Sequence, residues 1–369
     1  MSLLLLSSAV RFFADAVVGI YIPLYLFSLQ FPIEKIMLFF FFHALVQFIF
    51  TPISAKFSSL MGYKKLMIAS IPVFVLFYFS LFLVGDDPSL LYPLAALRGM
   101  AFALFWVPFH TYFTLSGTAE RRGKEYAIFS IFSWVSTIPG PMIGALLIVW
   151  YGFDAMFAFT AAALVLSAFP LLINPDVVKP VRFSLRKAFS RFRKGIFVTL
   201  FGRSFTDYVQ YAVWPIFMYL AIGSYLSFGW INTVGAAVFI IISWIAGNLF
   251  DRREGEKAFI MGTSLVSILW VIRMYLRTFW QFLLLEVVYR IPDTLRFTNL
   301  EALFYDNASK SEDIMQFTVI RELSLHIGSM ACSLLSYIIY VNTSNLALTF
   351  LLASLGGAIQ LFAKKDFPK

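Results

Sequence analysis

Along this chain the apolar residues run in unbroken stretches of about 20, the length of a helix that crosses a hydrocarbon core of roughly 30 Å. They do not alternate with polar residues, and they are about twice as long as a barrel strand, so strands are not predicted. The pattern predicts twelve helices, at about 3–28, 35–57, 66–84, 89–113, 126–149, 154–173, 196–221, 226–249, 258–276, 279–304, 313–340 and 344–362. Short polar turns separate most of them. One connection is longer: residues 174–195 hold seven Lys/Arg in 22 positions and two prolines. There Phe183, Leu185, Ala188 and Phe192 fall roughly on one face, which suits either a basic amphipathic helix on lipid headgroups or a solvated linker. The chain thus divides into an N-terminal bundle (1–173), a cytoplasmic basic linker (174–195) and a C-terminal bundle (196–369). The predicted fold is an all-α integral membrane protein of twelve transmembrane helices in two six-helix, pseudo-symmetric halves.

The polar residues inside those apolar runs carry more information. RFFADAVVGIYIPLYL (11–26) returns as RSFTDYVQYAVWPIFM (203–218), an offset of 203 − 11 = 192. Arg11 then matches Arg203, Asp15 matches Asp207, Pro23 matches Pro215, and Arg98 matches Arg290. A fixed shift shared by four such residues reads as a duplicated half.

Composition agrees with the pattern. Hydrophobic residues make up 60% of the chain and charged residues only 13%, against roughly 25% in a soluble domain. The net charge of +9 does not point to nucleic acid, because of where it sits. Of 29 Lys+Arg, 20 lie in one alternate set of loops and the C-terminal tail, 2 on the other side and 7 within spans. That asymmetry places the basic loops and both termini in the cytoplasm. A single cysteine excludes an internal disulfide. No Cys/His metal spacing, zinc-protease HExxH, phosphate-cradling Gly-rich loop or Ser/His/Asp set occurs, so neither a metal, a cofactor nor an enzyme is expected.

Ionisable residues inside a membrane are costly and are functional candidates by default. At a rise of ~1.5 Å per residue, Asp15 lies ~18 Å from the cytoplasmic edge and Arg98 ~14 Å from the outer edge. Both fall near the midplane, as do Asp207 and Arg290. The expected midplane pairs are Asp15 with Arg98 and Asp207 with Arg290. Arg11 and Arg203, one turn below each acid, are alternative partners. An acid whose Arg partner moves away changes its affinity for a proton, which is the basis for expecting proton coupling. Span 10 carries a stripe of Glu286, Arg290, Asp293 and Arg296, extended by Glu301, which cannot face lipid and should face a water-filled cavity. The first half has Leu94, Ala101 and Leu104 at the matching positions of Glu286, Asp293 and Arg296, so solute handling should lean on the second half. In span 11, Arg321 is followed by Glu322 and His326, an acid and an imidazole at i, i+4 that suit either a proton relay or a satisfied polar pair. His43 reads as a packing or cavity-lining residue rather than a ligand. Trp106, Trp134, Tyr211 and Trp214 are candidate site aromatics. Seven span arginines face six span acids, a near balance that suits a zwitterionic or weakly anionic solute.

Several motifs resemble those of the major facilitator superfamily, over the whole chain. Gly247-Asn-Leu-Phe-Asp251-Arg252 resembles its G-x-x-x-D-R turn; the first half keeps only Gly62-Tyr-Lys64-Lys65, with Ala55 and Ser59 in place of Gly and Asp. Arg98-Gly99 resembles its span-4 Arg motif, Glu120-Arg121-Arg122-Gly123 its span 4–5 loop, and Gly140-Pro141-Met-Ile-Gly144-Ala145 its antiporter-type span-5 motif. The resemblance implies a cavity lined by spans 1, 4, 7 and 10 that opens to each side in turn, with Asp251 as a gate latch near Arg121 and Arg122. It implies a secondary transporter of a small organic solute in a prokaryotic cytoplasmic membrane. Its partners would be that solute, protons and membrane lipids but not nucleic acid. It would be a monomer, proton-coupled and leaning to efflux by antiport. The rival readings are a proton symporter for uptake of a sugar or other metabolite, and a non-transporting receptor or lipid scramblase on the same fold.

Overall fold

The computed structural model describes residues 2–85, 87–116, 132, 135–173, 182–190, 194–249, 255–310 and 314–362. All regular structure among the described residues is helical. The spans are α1 (Leu3–Ser28), α2 (Ile33–Met61), α3 (Tyr63–Leu83) and α4 (Leu91–Ser116). The helix Gly140–Ile173 is two spans broken at Gly152, α5 (140–151) and α6 (153–173). Gly152 has φ +86°, a left-handed turn that a side chain would strain, so the chain reverses there without a long loop. The second half supplies α7 (194–222), α8 (Tyr225–Leu249), α9 (Gly255–Arg273), α10 (Phe279–Lys310), α11 (Ile314–Thr343) and α12 (Leu346–Phe362).

Eight helices are long and apolar enough to cross a bilayer on those criteria alone, one of them containing both α5 and α6. The remaining spans miss for physical reasons that matter later. Helix α7 is interrupted, α10 is too charged and α12 is short. Predicted and observed bounds agree closely apart from the start of the fifth span, which falls outside the described residues, as does Phe192. Of the basic linker, Leu185–Ser190 is a single short helix packed on α11. Ala188 is fully buried there, while Leu185 and Phe189 are exposed.

The halves meet along two seams. Helix α2 packs on α11, where the Ser333 hydroxyl donates to the Met37 carbonyl at 2.8 Å. Helix α5 packs on α8, where the Met142 amide donates to the Thr233 hydroxyl at 3.1 Å. Glycines set how closely helices approach. A side chain at Gly140 would strike Ala16, and one at Gly144 would strike the Val17 carbonyl and the Tyr21 ring. The span-5 motif therefore lets α5 press on α1 just above Asp15. Gly144→Val is expected to cost about 1–3 kcal/mol by overpacking. Gly19→Ala, with nothing within 4 Å of the added carbon, is expected to stay within about 0.5 kcal/mol. Thermal unfolding of the two purified variants in detergent checks both.

Candidate functional site

The two duplicated helices lose regular winding at the same place. In α1 a 3₁₀ turn occupies Gly19–Tyr21; in α7 a π turn occupies Val209–Val213. Residues 19–21 plus 192 give 211–213, so the two irregularities coincide in the repeat. The first begins four residues after Asp15 and the second two residues after Asp207, and each precedes the matching proline. Such turns recur where a helix must present side chains out of its ordinary sequence.

Just before each irregular turn stands the Arg–acid pair. Arg11 Nε lies 3.5 Å from Asp15 Oδ2, and Arg203 Nε donates to Asp207 Oδ2 at 3.1 Å. Both arginines are buried; both acids are partly accessible, 24% for the Asp15 side chain and 34% for Asp207. Tyr211, one turn beyond Asp207, is 57% exposed although it lies within electrostatic reach of Asp207, Arg290, Asp293 and Arg203. A phenol that open, among four charged groups at mid-span, faces water rather than hydrocarbon. The accessible side of α7 thus lines a polar space inside the bundle.

The charged stripe of α10 is paired throughout. Glu286 is buried and takes Arg290 at 2.6 Å and Arg273 of α9 at 2.8 Å. Asp293 takes Arg296 at 2.7 Å and Arg290 at 3.8 Å. Arg273 also donates to Gln210 at 2.6 Å and is packed among the rings of Trp214, Trp270 and Tyr289, 3.8–4.3 Å from its guanidinium carbon. Trp214 and Trp106 are therefore packing partners here: Trp106 stacks on Phe12 and His110. His43 is buried against Phe102, as a packing residue would be.

A second cluster sits lower in the same half. Glu301 accepts from both Arg203 and Arg321, the latter at 2.9 Å. Arg321 also donates to Glu322 at 2.5 Å, and His326 Nε2 lies 3.9 Å from Glu322. His110 of α4 reaches across from the first half, with Nε2 3.0 Å from Arg321 and 3.8 Å from Glu322. This cluster bridges the halves near the C-terminal end of α4.

The structure therefore rearranges the expected pairs. Asp15 pairs with Arg11, not Arg98, and Asp207 with Arg203, not Arg290. The cause is local: an arginine one turn away on the same helix reaches its acid without any approach between helices. Arg290 has its own neighbours, Glu286 at i−4 and Asp293 at i+3. Arg98 stays within electrostatic reach of Asp15 without an ion pair. Arg273 was counted among the span arginines but not singled out; its offset partner is Leu81, so the repeat gave no signal, and only its presence in a span did. Of the residues expected to gate, Gly140, Pro141 and Gly144 lie in the α1–α5 crossing, where the Tyr21 hydroxyl donates to the Pro141 carbonyl at 2.5 Å. Gly247 lies in the last turn of α8. Asp251, Arg252, Arg121 and Arg122, and with them Trp134, lie outside the described residues.

Comparison with known proteins gives three findings. The family model described as "Major Facilitator Superfamily" matches residues 4–202. The chain is similar in fold to the crystal structure of the E. coli fucose:proton symporter FucP in a point-mutant form, with TM-score 0.71 and 12% identity, covering 100% of this chain and 98% of that one. It is similar also to the structure of FucP, a Major Facilitator Superfamily transporter, in the outward conformation, with TM-score 0.70, 12% identity and coverage of 100% and 99%. No curated protein matched by sequence.

Proposed function

Because the chain belongs to the major facilitator superfamily and is a multi-pass membrane transporter, we propose that it is a proton-coupled secondary carrier of a small organic solute, leaning to export by antiport. The two bundles, 1–173 and 196–369, rock about the α2–α11 and α5–α8 seams, with 174–195 as the cytoplasmic tether. The observation that carries this reading is the accessible acid repeated in both halves, each held by a buried arginine one turn below it.

The lower cluster of the second half suggests where the proton resides. Arg203 and Arg321 face three acids there, Asp207, Glu301 and Glu322. Two arginines against three acids leave one negative charge, which one proton neutralises. Asp207 is the most accessible of the three, so it is the acid that exchanges protons with the cavity. His110 couples that cluster to the first half. Its contact with Arg321 must break when the basic side opens, which ties charge to conformation. Positive-inside asymmetry supports cytoplasmic termini; the proposed setting is a prokaryotic cell membrane, with the carrier acting as a monomer.

A second reading, proton symport for uptake of a sugar or other metabolite, takes its support from the fold shared with a fucose:proton symporter. The test is flux in proteoliposomes under an imposed pH gradient, screened over mixed small metabolites. Solute moving opposite to the proton supports antiport; solute moving with it supports symport. Labelled lipid crossing without a gradient, with no solute moving, supports a scramblase or receptor and overturns the carrier.

A further inference from the structure

Among the described residues, each of the six carboxylates set deep in the spans is taken by an arginine. Asp15 has Arg11, Asp207 has Arg203, Glu286 has Arg273 and Arg290, and Asp293 has Arg290 and Arg296. Glu301 has Arg203 and Arg321, and Glu322 has Arg321. Among the described residues of the spans, Arg98 is the arginine with no acid at ion-pair distance. Its Nε is buried with no hydrogen-bond acceptor. The ring of Phe102 lies 4.5 Å from its guanidinium carbon and that of Phe40 5.7 Å. The side chain is half-buried, not sealed, and Asp15 and Tyr78 are within its electrostatic reach.

Arg11 also lacks hydrogen-bond acceptors, but it is 1% exposed, covered by Phe74 and Phe105 and tied to Asp15. It cannot meet a solute. Arg98 can. Its position is fixed from behind: a side chain at Gly99 would strike the His43 carbonyl, so α4 presses directly on the α2 backbone at that level. An unpaired guanidinium held rigidly at bilayer depth is strongly disfavoured unless a counter-charge arrives.

We infer that Arg98 is the docking cation for the transported solute, and that the solute class is a small organic monoanion bearing a carboxylate or comparable oxyanion. The inference rests on the carrier reading and names the substrate class of that same cavity. The planar fork of Arg98 suits a two-oxygen anion. Its charge would bring the seven described span arginines and six acids to balance. The rings of Phe40 and Phe102 offer an apolar wall to the organic part.

The probe is a panel of aliphatic and aromatic monocarboxylates, each beside its primary amide, read by thermal shift on the purified full chain in detergent. At least one acid is expected to stabilise the protein while its amide does not. Arg98→Gln should weaken that acid by about 10–100-fold, the loss of charge-assisted hydrogen bonds. Arg98→Lys should recover part of the affinity, and Arg277→Gln, at an exposed outer position, should leave it unchanged. An Arg98→Gln protein that melts like the wild type shows that the loss is local. The inference is overturned if no acid stabilises, if amides do so equally, or if Arg98→Gln binds the acid as well as the wild type. Flux separates this from the carrier reading. A neutral or cationic solute carried equally by wild type and Arg98→Gln removes the anion and leaves a carrier; acids that bind through Arg98 while no solute is carried remove the carrier and leave the site.

Discussion

Replacing Glu301 with glutamine is expected to destabilise the folded protein by about 3–5 kcal/mol, the usual result of removing one partner from a buried ion pair. Glu301 is buried and accepts from two arginines on two other helices, Arg203 of α7 and Arg321 of α11. Its amide would offer one carbonyl and turn an N–H donor toward guanidinium groups that are themselves only donors. Arg203 would retain Asp207 and Arg321 would retain Glu322, each on its own helix, so α7 and α11 would lose the link that Glu301 of α10 provides between them. Asp154→Asn, at an exposed position, is the control and is expected to change stability by less than about 0.5 kcal/mol. Unfolding curves in mild detergent measure both. Equal melting of the two variants would show that Glu301 holds nothing together.

The second large effect concerns coupling. In Asp207→Asn the accessible acid of α7 loses its charge while Arg203 keeps Glu301. The lower cluster then holds two arginines and two acids, so no proton is needed for neutrality. An imposed gradient of one pH unit supports about a tenfold solute ratio per coupled proton. The wild type is expected to approach that ratio and Asp207→Asn to fall to a ratio of about one, while counterflow between labelled and unlabelled solute continues. Loss of counterflow as well would assign Asp207 to solute binding or structure. Full gradient-driven accumulation in the variant would move the proton site elsewhere.

The spans, their number and the repeat of Arg11 and Asp15 in Arg203 and Asp207 were legible because hydrocarbon imposes a length on helices and penalises every charge inside it. The lopsidedness was legible too. The stripe from Glu286 to Glu301 exists in one half only, and the structure builds both large networks there. Pairing was less legible. Depth along the normal put Asp15 level with Arg98, but depth carries no information about rotation, and the helix supplied Arg11 at i−4 first. Arg273 escaped notice because its role depends on α9 facing α10, a tertiary fact with no trace in the repeat. The span-5 glycines illustrate the opposite case. A motif of Gly140, Pro141 and Gly144 implied close packing by chemistry alone, and the close approach to Ala16 and Val17 is where that chemistry is used.

The irregular turns of α1 and α7 carry one more consequence. At equivalent positions one copy is wound tighter than an α-helix, rising about 2.0 Å per residue, and the other is wound wider. Transplanting 209–213 onto the corresponding stretch of α1 would therefore twist everything outward of Asp15 about the helix axis. The transplant would also put a valine where Tyr21 stands, removing the hydroxyl from the Pro141 carbonyl, and the outer tips of α1 and α7, which touch in this structure, would fall out of register. Two segments that began as copies have become left- and right-hand parts of one joint, each fitted to its own side and no longer exchangeable.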